Sequence, residues 1–591
     1  MCGVFGYTGK LTANDLVFQG LKRLEYRGYD SWGIAVNDNK KIKIYKNTGE
    51  IKKDSKFKKL PRTNIAIGHT RWATHGGVTI KNAHPHLSTD KSFTLVQNGI
   101  VENYEILKKK LLKKGYTFKS ETDTEVIVRL IEDELKNSKN LNTAIKKAFK
   151  KLKGRNTIVI LTNKDQRILA VKNGSPLVVG IGKDGTYLAS DSLSFSPYTN
   201  KIVTLDNFDF LEIKNKDIHI ENIKTGKKEL KIKNIKNSSS TIDKGKYEHY
   251  MIKEIVDQKD TIVNATQYTR KQLLPLLKAI KQTHRVYVVG AGTAGFAAGQ
   301  ICYFLRNIAK IDAQDIRSYE FNSYINVIKK EDLIIAVSQS GETADTIEVL
   351  EIAKKEGCKI ASIVNMLGTT ISKMSDYPYF VNAGPEICVA STKVFTAQCS
   401  WGYLVSKALI NNEKEAKENI KKLSKKLNTY FKQKTYKEIL KLSKKIKNSD
   451  HLFVLGKGQN SFIALEGALK VKEISYKHIE GFMAGELKHG VIALIEEGTP
   501  VFSIISNDDN SKDIISATEQ VKTRGAFTIG VGDKKFEKYN VWDMFLSTPQ
   551  VKDLSSLSNV IAFQLISYFL SKELGNNIDK PRNLAKSVTV K

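Results

Sequence analysis

Up to about residue 222, short β-branched runs such as Ile65 to Ile67, Ile158 to Leu161 and Leu177 to Val179 lie between turns and lysine-rich segments of helical spacing. That mixture predicts an α+β or layered sandwich. From Lys224 to Lys246 the apolar periodicity gives way to Lys, Ser and Asn, the composition of a linker. After Tyr247, apolar strands lead into Gly- or Ser-rich turns and then helices, the pattern of βαβ units on a parallel sheet. This half repeats: VYVVGAGTAGFAAG from Val286 is matched by LFVLGKGQNSFIALEG from Leu452, and LIIAVSQSGE from Leu333 by VFSIISNDDN from Val501. Two copies of one nucleotide-binding-like fold follow, with a boundary near Asn411 to Ser449. The Ser-rich loop is confined to the first copy.

The 591 residues suffice for about three to four domains of ~150 residues, and 41% hydrophobic with 27% charged residues is a globular balance. No apolar run approaches the ~20 residues that span a bilayer, and the N-terminus carries no leader pattern, so a cytoplasmic protein without membrane contact is expected. Five cysteines without CxxC spacing suggest neither a disulfide framework nor a zinc site, and no metal or redox cofactor is implied. The net charge of +33 raises nucleic-acid binding. However, the lysines are spread as pairs among Leu and Ile at helical spacing, as in Lys421 to Lys447, which reads as solvated helix faces; no specific nucleic-acid partner is expected.

Cys2 stands out by position. Removal of Met1 would leave it with a free α-amine of pKa about 8 that can take the thiol proton, so that one residue supplies nucleophile and base. The motifs MCGVFGY, LEYRGYDSWG, GHTRWATHG, NAHPH, QNGIVENY and SETDTEV follow in order over some 125 residues. Together they closely resemble the glutaminase domain of class II amidotransferases, the N-terminal nucleophile (Ntn) family. Arg71 suits the α-carboxylate of glutamine and Asp123 its α-ammonium. Asn98 and the Gly99 N–H suit an oxyanion hole. The resemblance implies the same roles, adds Thr74 and His75 as substrate-site residues, and makes Trp72 a gate for ammonia. Taken singly, Arg71 also reads as a structural ion pair, Asn98-Gly99 as a type I′ hairpin turn, and Asp123 as the cap of a helix starting near Glu125.

In the second half, LIIAVSQSGETADT runs from a strand into a hydroxyl-rich turn and a helix, where Ser338, Ser340, Thr343 and backbone N–H groups suit a phosphate; an ordinary Ser/Thr cap is the alternative. GAGTAG is a weak dinucleotide signal, with no convincing acidic residue about 20 positions on. Glu466, Lys470 and Glu473 recur at i, i+4 and i+7, one face of a helix, for which an exposed salt-bridged face is the usual explanation.

SQSGETADT, ASTKVFTAQ, ALEGALKVKEISY, GELKHG and the terminal PRNLAKSVTV, added to the glutaminase motifs, resemble the family of isomerizing, glutamine-dependent fructose 6-phosphate aminotransferases, in which two sugar isomerase (SIS) domains follow the glutaminase. The match spans essentially the whole chain. It implies an α/β multidomain protein, with an N-terminal α+β layered αββα Ntn-hydrolase sandwich followed by two doubly wound parallel-sheet SIS domains. The domains would be a glutaminase at 1–222, a linker at 223–246, a first SIS domain at 247–410, connecting helices at 411–449, a second SIS domain at 450–575 and a catalytic tail at 576–591. The implied reaction hydrolyses L-glutamine at Cys2 and channels ammonia to D-fructose 6-phosphate, giving glucosamine 6-phosphate for amino-sugar biosynthesis.

By the same resemblance, His489 opens the sugar ring, Lys586 forms a Schiff base with C2, Glu473 moves a proton between C1 and C2, and Lys470 supports it. Thr293, Ser338, Gln339, Ser340, Thr343, Val389, Ser391 and Ala585 match sugar-phosphate contacts. A homodimer is implied, with His489 contributed across its interface. The chain departs from the family pattern at Ala291 and Ala294, where a Cys and a Ser are usual, and at DSWG and QNG in place of DSAG and HNG, which puts Trp32 and Gln97 near the glutaminase site.

Overall fold

The computed structural model describes residues 2–214, 216–234 and 243–588. The chain divides into two compact units, one of residues up to 239 together with those from 585 onward, the other of residues 240–584.

In the first unit, two mainly antiparallel sheets of eight and seven strands stack face to face. Alternation along the strands decides the layering, because successive side chains point to opposite faces. In the strand Gly3–Gly9, Val4 joins Ile65, Ile67, Val96 and Val159 between the sheets. Phe5 and Tyr7 point the other way, into a core shared with Leu16, Val17 and Leu21 of the helix Ala13–Leu24. On the outer face of the second sheet, the helices Tyr104–Lys113, Asp123–Leu135 and Leu141–Lys150 bury Leu107, Ile127, Ile131 and Phe149 against Phe93 and Leu95. The result is the αββα sandwich.

The linker reading of 223–246 needs correcting. Gly226–Lys227 pairs with the strand Asp217–Asn222, and Ile232–Asn234 pairs with Lys201–Thr204, so this stretch supplies edge strands. Their exposure explains the missing periodicity: Ile232 is half exposed, and an edge strand with two wet faces has no apolar side to display. Residues 235–242 lie outside the described residues.

The second unit contains two five-stranded parallel sheets of identical order, with the second strand outside the first and the third, fourth and fifth following on its other side. The repeated segments open them: Val286–Gly290 leads into the helix Thr293–Ala309, and His451–Gly456 into Ser461–Ser475. A continuous core runs through both copies. The helices Glu413–Tyr430 and Gln433–Ile446 bury Leu423, Leu427, Ile439 and Leu442 while their lysines face solvent, as the spacing predicts. The segment Lys552–Glu573, long and apolar enough to cross a membrane, is mostly buried in this core, 94% of its most apolar 18-residue window lying inside.

Candidate functional site

In the first unit, Cys2 immediately precedes the strand Gly3–Gly9, which pairs with Ile65–Arg71 so that Gly3 faces Thr70. This register sets the thiol against the chain just beyond Arg71. The Trp72 N–H donates to Sγ at 3.4 Å, and the thiol points back at the Trp72 carbonyl at 3.6 Å. Burial pushes the thiol pKa above its ordinary value, partly offset by the Trp72 hydrogen bond and Arg71. A buried thiol is a poor nucleophile until a base takes its proton.

Asn98 and Gly99 end the strand Phe93–Gly99, which continues its pairing with Asn156–Thr162 to the Gly99–Asn156 pair. They are therefore not a hairpin turn. Gly99 has φ of +128°, and a Cβ there would lie 2.0 Å from the Arg155 carbonyl oxygen, so only glycine fits. Asn98 Nδ2 donates to the Cys2 carbonyl at 3.2 Å and to Ser190 Oγ at 2.8 Å.

Among the described residues Arg71 makes no ion pair. Its guanidinium donates to the carbonyls of His75 at 2.5 Å, Gly76 at 3.0 Å and Gly77 at 3.2 Å, fixing the loop after its own strand. Those bonds use three of five N–H donors. Asp30 Oδ2 secures the same loop by accepting the Ala73 N–H at 2.7 Å. Thr74 is exposed, and half-buried His75 stands edge-on to Tyr104 with ring centroids 4.9 Å apart.

Asp123 is the first residue of the helix Asp123–Leu135, and the cap is Thr122, which accepts the Glu125 N–H. Asp123 Oδ2 instead accepts the Val101 N–H at 2.8 Å. Its own burial pushes the carboxyl pKa up, against the Val101 hydrogen bond, His75 and Gln97.

The two departures at this end have different fates. Gln97 is within the polar network: its Nε2 donates to Asn156 Oδ1 at 2.6 Å and its Oε1 accepts from the Thr124 hydroxyl. Trp32 is not at the site. Its ring is fully buried among Phe18, Tyr45 and Phe57, on the outer face of the sheet, with Nε1 donating to the Glu50 carbonyl at 3.2 Å.

In the second unit, Glu466, Lys470 and Glu473 do share one face of the helix Ser461–Ser475, but it is a buried face. The side chains of Glu466 and Lys470 have no exposure and that of Glu473 only 20%, so the solvated salt-bridge reading fails. Lys470 Nζ lies 2.5 Å from Glu473 Oε2, 2.9 Å from Thr293 Oγ1 and 3.5 Å from Glu466 Oε1. Burial pushes the Glu466 pKa up to about 8, with Lys470 pulling down and Glu473 pushing up. Lys470 itself is held above its ordinary value, because the two carboxylates outweigh its desolvation.

The hydroxyl loop sits between the strand Leu333–Ser338 and the helix Ala344–Lys355. Thr343 occupies the cap position without a side-chain cap bond, and its Oγ1 lies 3.0 Å from Ser338 Oγ, which accepts the Gly341 N–H at 3.0 Å. The loop is thus braced on itself, with half-buried Gln339 and Ser340 between. Ser391 donates to Glu386 Oε2 at 2.8 Å, and the other Glu386 oxygen accepts the N–H groups of Thr392 and Val394. Val389 is buried and donates its N–H to the Asp579 carbonyl at 3.2 Å.

Thr293 starts its helix directly after Gly292, whose φ is +55°; Ala291 and Ala294 flank the pair. His489 ends a short 3-10 turn, Ala484–His489, and is exposed on its own chain, as are Met483 and Leu494. Ala585 and Lys586 are half buried and belong to the first compact unit.

Residues outside the motif-based set also carry these sites. His69 and Ser190 hold Asn98, Asp30 holds the Arg71 loop, and Glu386 organises the Ser391 segment. His69 stands inside GHTRWATHG and was open to notice, whereas Ser190 reaches Asn98 only through a pairing 92 residues distant.

A glutamine amidotransferase domain model matches residues 69–196, and a SIS domain model matches 279–408 and 445–539. Over the full length of both chains, the glutamine–fructose-6-phosphate aminotransferases (isomerizing) of Pyrococcus horikoshii and Aquifex aeolicus are 39% and 38% identical to this chain. The solved C-terminal domain of glucosamine-fructose-6-phosphate aminotransferase from Francisella tularensis is 31% identical, with a TM-score of 0.54, covering 57% of this chain and 99% of that one. With both domain types in order and full-length relatives well above 30% identity, the chain belongs to the glutamine–fructose-6-phosphate aminotransferase (isomerizing) family.

Proposed function

We propose that this enzyme hydrolyses glutamine at Cys2 and uses the ammonia to convert fructose 6-phosphate into glucosamine 6-phosphate. The observation that carries the sugar half is the buried Lys470–Glu473 pair: a carboxylate 20% exposed and held against a fully buried ammonium is placed to exchange protons with a ligand rather than with bulk water.

At the glutaminase end, the α-amine of Cys2, freed by loss of Met1, takes the thiol proton that burial otherwise retains. Sγ then attacks the amide carbon, ammonia leaves, and water hydrolyses the thioester to glutamate. Asn98 Nδ2 and the Gly99 N–H stabilise the oxyanion, each donor worth about 3 kcal/mol. Two Arg71 N–H donors not engaged by loop carbonyls take the substrate α-carboxylate, and Asp123 takes the α-ammonium. Thr74 and His75 complete that pocket, and Trp72, whose backbone already brackets the thiol, gates ammonia.

At the sugar end, Ser338, Gln339, Ser340 and Thr343 hold the phosphate through hydroxyls and helix N–H groups, with Thr293, Val389, Ser391 and Ala585 around the sugar. His489 opens the ring, and Lys586 condenses with C2 with loss of water; ammonia then adds at C2 and displaces the lysine amine, leaving the C2 imine of the sugar. Glu473 then moves a proton from C1 to C2, with Lys470 holding it in position. The exposure of His489, Met483 and Leu494 on one short stretch supports a homodimer in which His489 serves the partner's site. A cytoplasmic location suits these metabolites.

The test is simultaneous assay of glutamate and glucosamine 6-phosphate from glutamine and fructose 6-phosphate, with C2A, E473Q and K586A. Equal formation of both products is expected, both lost on the glutamine route in C2A, and amino sugar alone lost in E473Q and K586A. Glutamate without amino sugar in the parent enzyme would overturn the assignment of the acceptor.

A further inference from the structure

Three histidines form a buried stack behind the glutaminase site. The rings of His69 and His84 lie 4.1 Å apart at 31°, and His84 and His86 lie 5.0 Å apart edge to face. His84 and His86 come from NAHPH and His69 from GHTRWATHG, three histidines that the reaction above does not use.

Hydrogen bonding assigns the tautomers of His69 and His84. His69 Nε2 lies 2.8 Å from the Gln97 carbonyl oxygen and 3.1 Å from Asn98 Oδ1. Both neighbours are acceptors, so Nε2 carries the proton, shared between them. Nδ1 is then a bare acceptor, buried without a partner among the described residues. For His84, Nδ1 accepts the Gln97 N–H at 3.4 Å while Nε2 sits 3.0 Å from Thr124 Oγ1. The Thr124 hydroxyl donates onward to Gln97 Oε1, so it accepts from His84 Nε2–H. The stack is neutral, since burial lowers the pKa of all three, that of His69 to about 3.

We propose that His69 is the positioning residue that fixes the Asn98 amide with its NH₂ toward Cys2. The proposal rests on the reading of Asn98 as an oxyanion donor and adds to it. An asparagine side chain has two nearly isosteric orientations, and its neighbours decide between them. With His69 Nε2–H on Oδ1, the opposite side of the amide presents Nδ2 to the Cys2 carbonyl and Ser190 Oγ. Ser190 Oγ also accepts the Val4 N–H at 2.9 Å. Flipping Asn98 would set Oδ1 against the Cys2 carbonyl oxygen and set the NH₂ against the His69 N–H. Both Nδ2 hydrogens are occupied in this state, one on Ser190 and the longer one, 3.2 Å, on the Cys2 carbonyl. The oxyanion of the tetrahedral intermediate bonded to Cys2 Sγ takes over the second.

The geometry distinguishes substitutes. The glutamine Nε2 falls at about the reach of the histidine Nε2 and can donate to the same two oxygens, whereas the asparagine Nδ2 falls at about the reach of Nδ1 and cannot. Glutamine hydrolysis by the full-length enzyme is measured as glutamate release for the parent and for H69Q, H69N, H69F, N98A, H69N/N98A and C2A. H69N and H69F are expected to lower kcat about 100-fold, on the scale of one lost oxyanion donor, with the KM for glutamine within about twofold. H69Q stays within about tenfold of the parent. H69N adds little to N98A, because both remove one function. Should H69F fail to fold, H69Q against H69N and the double variant still decide. Unchanged kcat in H69N, loss confined to KM, or losses that multiply in H69N/N98A would overturn the proposal. Glutamate release that survives in C2A, or that stays at the parental rate in N98A, would instead overturn the catalytic reading beneath it.

Discussion

Lys470 Nζ lies 2.5 Å from Glu473 Oε2, three residues along the same helix, with the lysine wholly buried and the carboxylate reaching the edge of solvent. On a surface this pair would contribute little, but in the interior each charge depends on the other. The Lys470→Met variant leaves Glu466 and Glu473 without their cation and is expected to lose about 3–5 kcal/mol of stability. Glu473→Gln should cost less stability than Lys470→Met, because Glu466 Oε1 remains 3.5 Å from the buried ammonium, while lowering sugar isomerisation 100- to 10,000-fold, the range for a lost general base. Urea unfolding of both variants beside fructose 6-phosphate turnover separates the two effects.

Glu466 gives the second prediction. Its pKa is pushed above the ordinary carboxyl value to about 8, mainly by burial, so folding favours its protonated form. The stability it contributes is complete below the unfolded value of about 4.3 and is lost as pH rises through 8. The urea midpoint of the parent should therefore fall between pH 5 and pH 9 more than that of Glu466→Gln, whose side chain stays neutral. Parallel curves would show that Glu466 is ionised throughout.

The histidine stack predicts the opposite trend at the acid end. His69, His84 and His86 are buried neutral, with folded pKa values below the unfolded one of about 6.5. Their contribution is complete above that value and is lost as pH falls toward 3, at a slope of up to about 4 kcal/mol per pH unit while three protons are taken up on unfolding. Thermal unfolding of the parent from pH 7 to pH 4, compared with His86→Gln, measures it; the variant should show a shallower slope.

Trp32 tests the reassignment of a residue near a motif. Fully buried between Phe18, Tyr45 and Phe57, it should cost about 3–5 kcal/mol on replacement by alanine. The KM for glutamine should move less than twofold. A large KM change at intact stability would return Trp32 to the substrate pocket.

Gly99 is a backbone requirement. In Gly99→Ala the new Cβ meets the Arg155 carbonyl at 2.0 Å, so the strand end must shift and carry its N–H with it. Glutamine hydrolysis is expected to fall about 100-fold or more, while amination with added ammonium salts persists.

The sequence by itself determined the order of the halves, the repeat in the second, and the helix that carries Glu466, Lys470 and Glu473, because each is written in local periodicity or in short motifs. The family resemblance of its ordered motifs also assigned Cys2, Asn98, Gly99, Arg71 and Asp123 to one expected glutamine site. Only the tertiary structure decided that the Glu466 face is buried, that Trp32 belongs to the core, and that residues 226–234 supply edge strands, since each depends on what another segment covers. The same holds for the Asn98 amide: its partners His69 and Ser190 lie 29 and 92 residues away, and only strand register brings them to one donor.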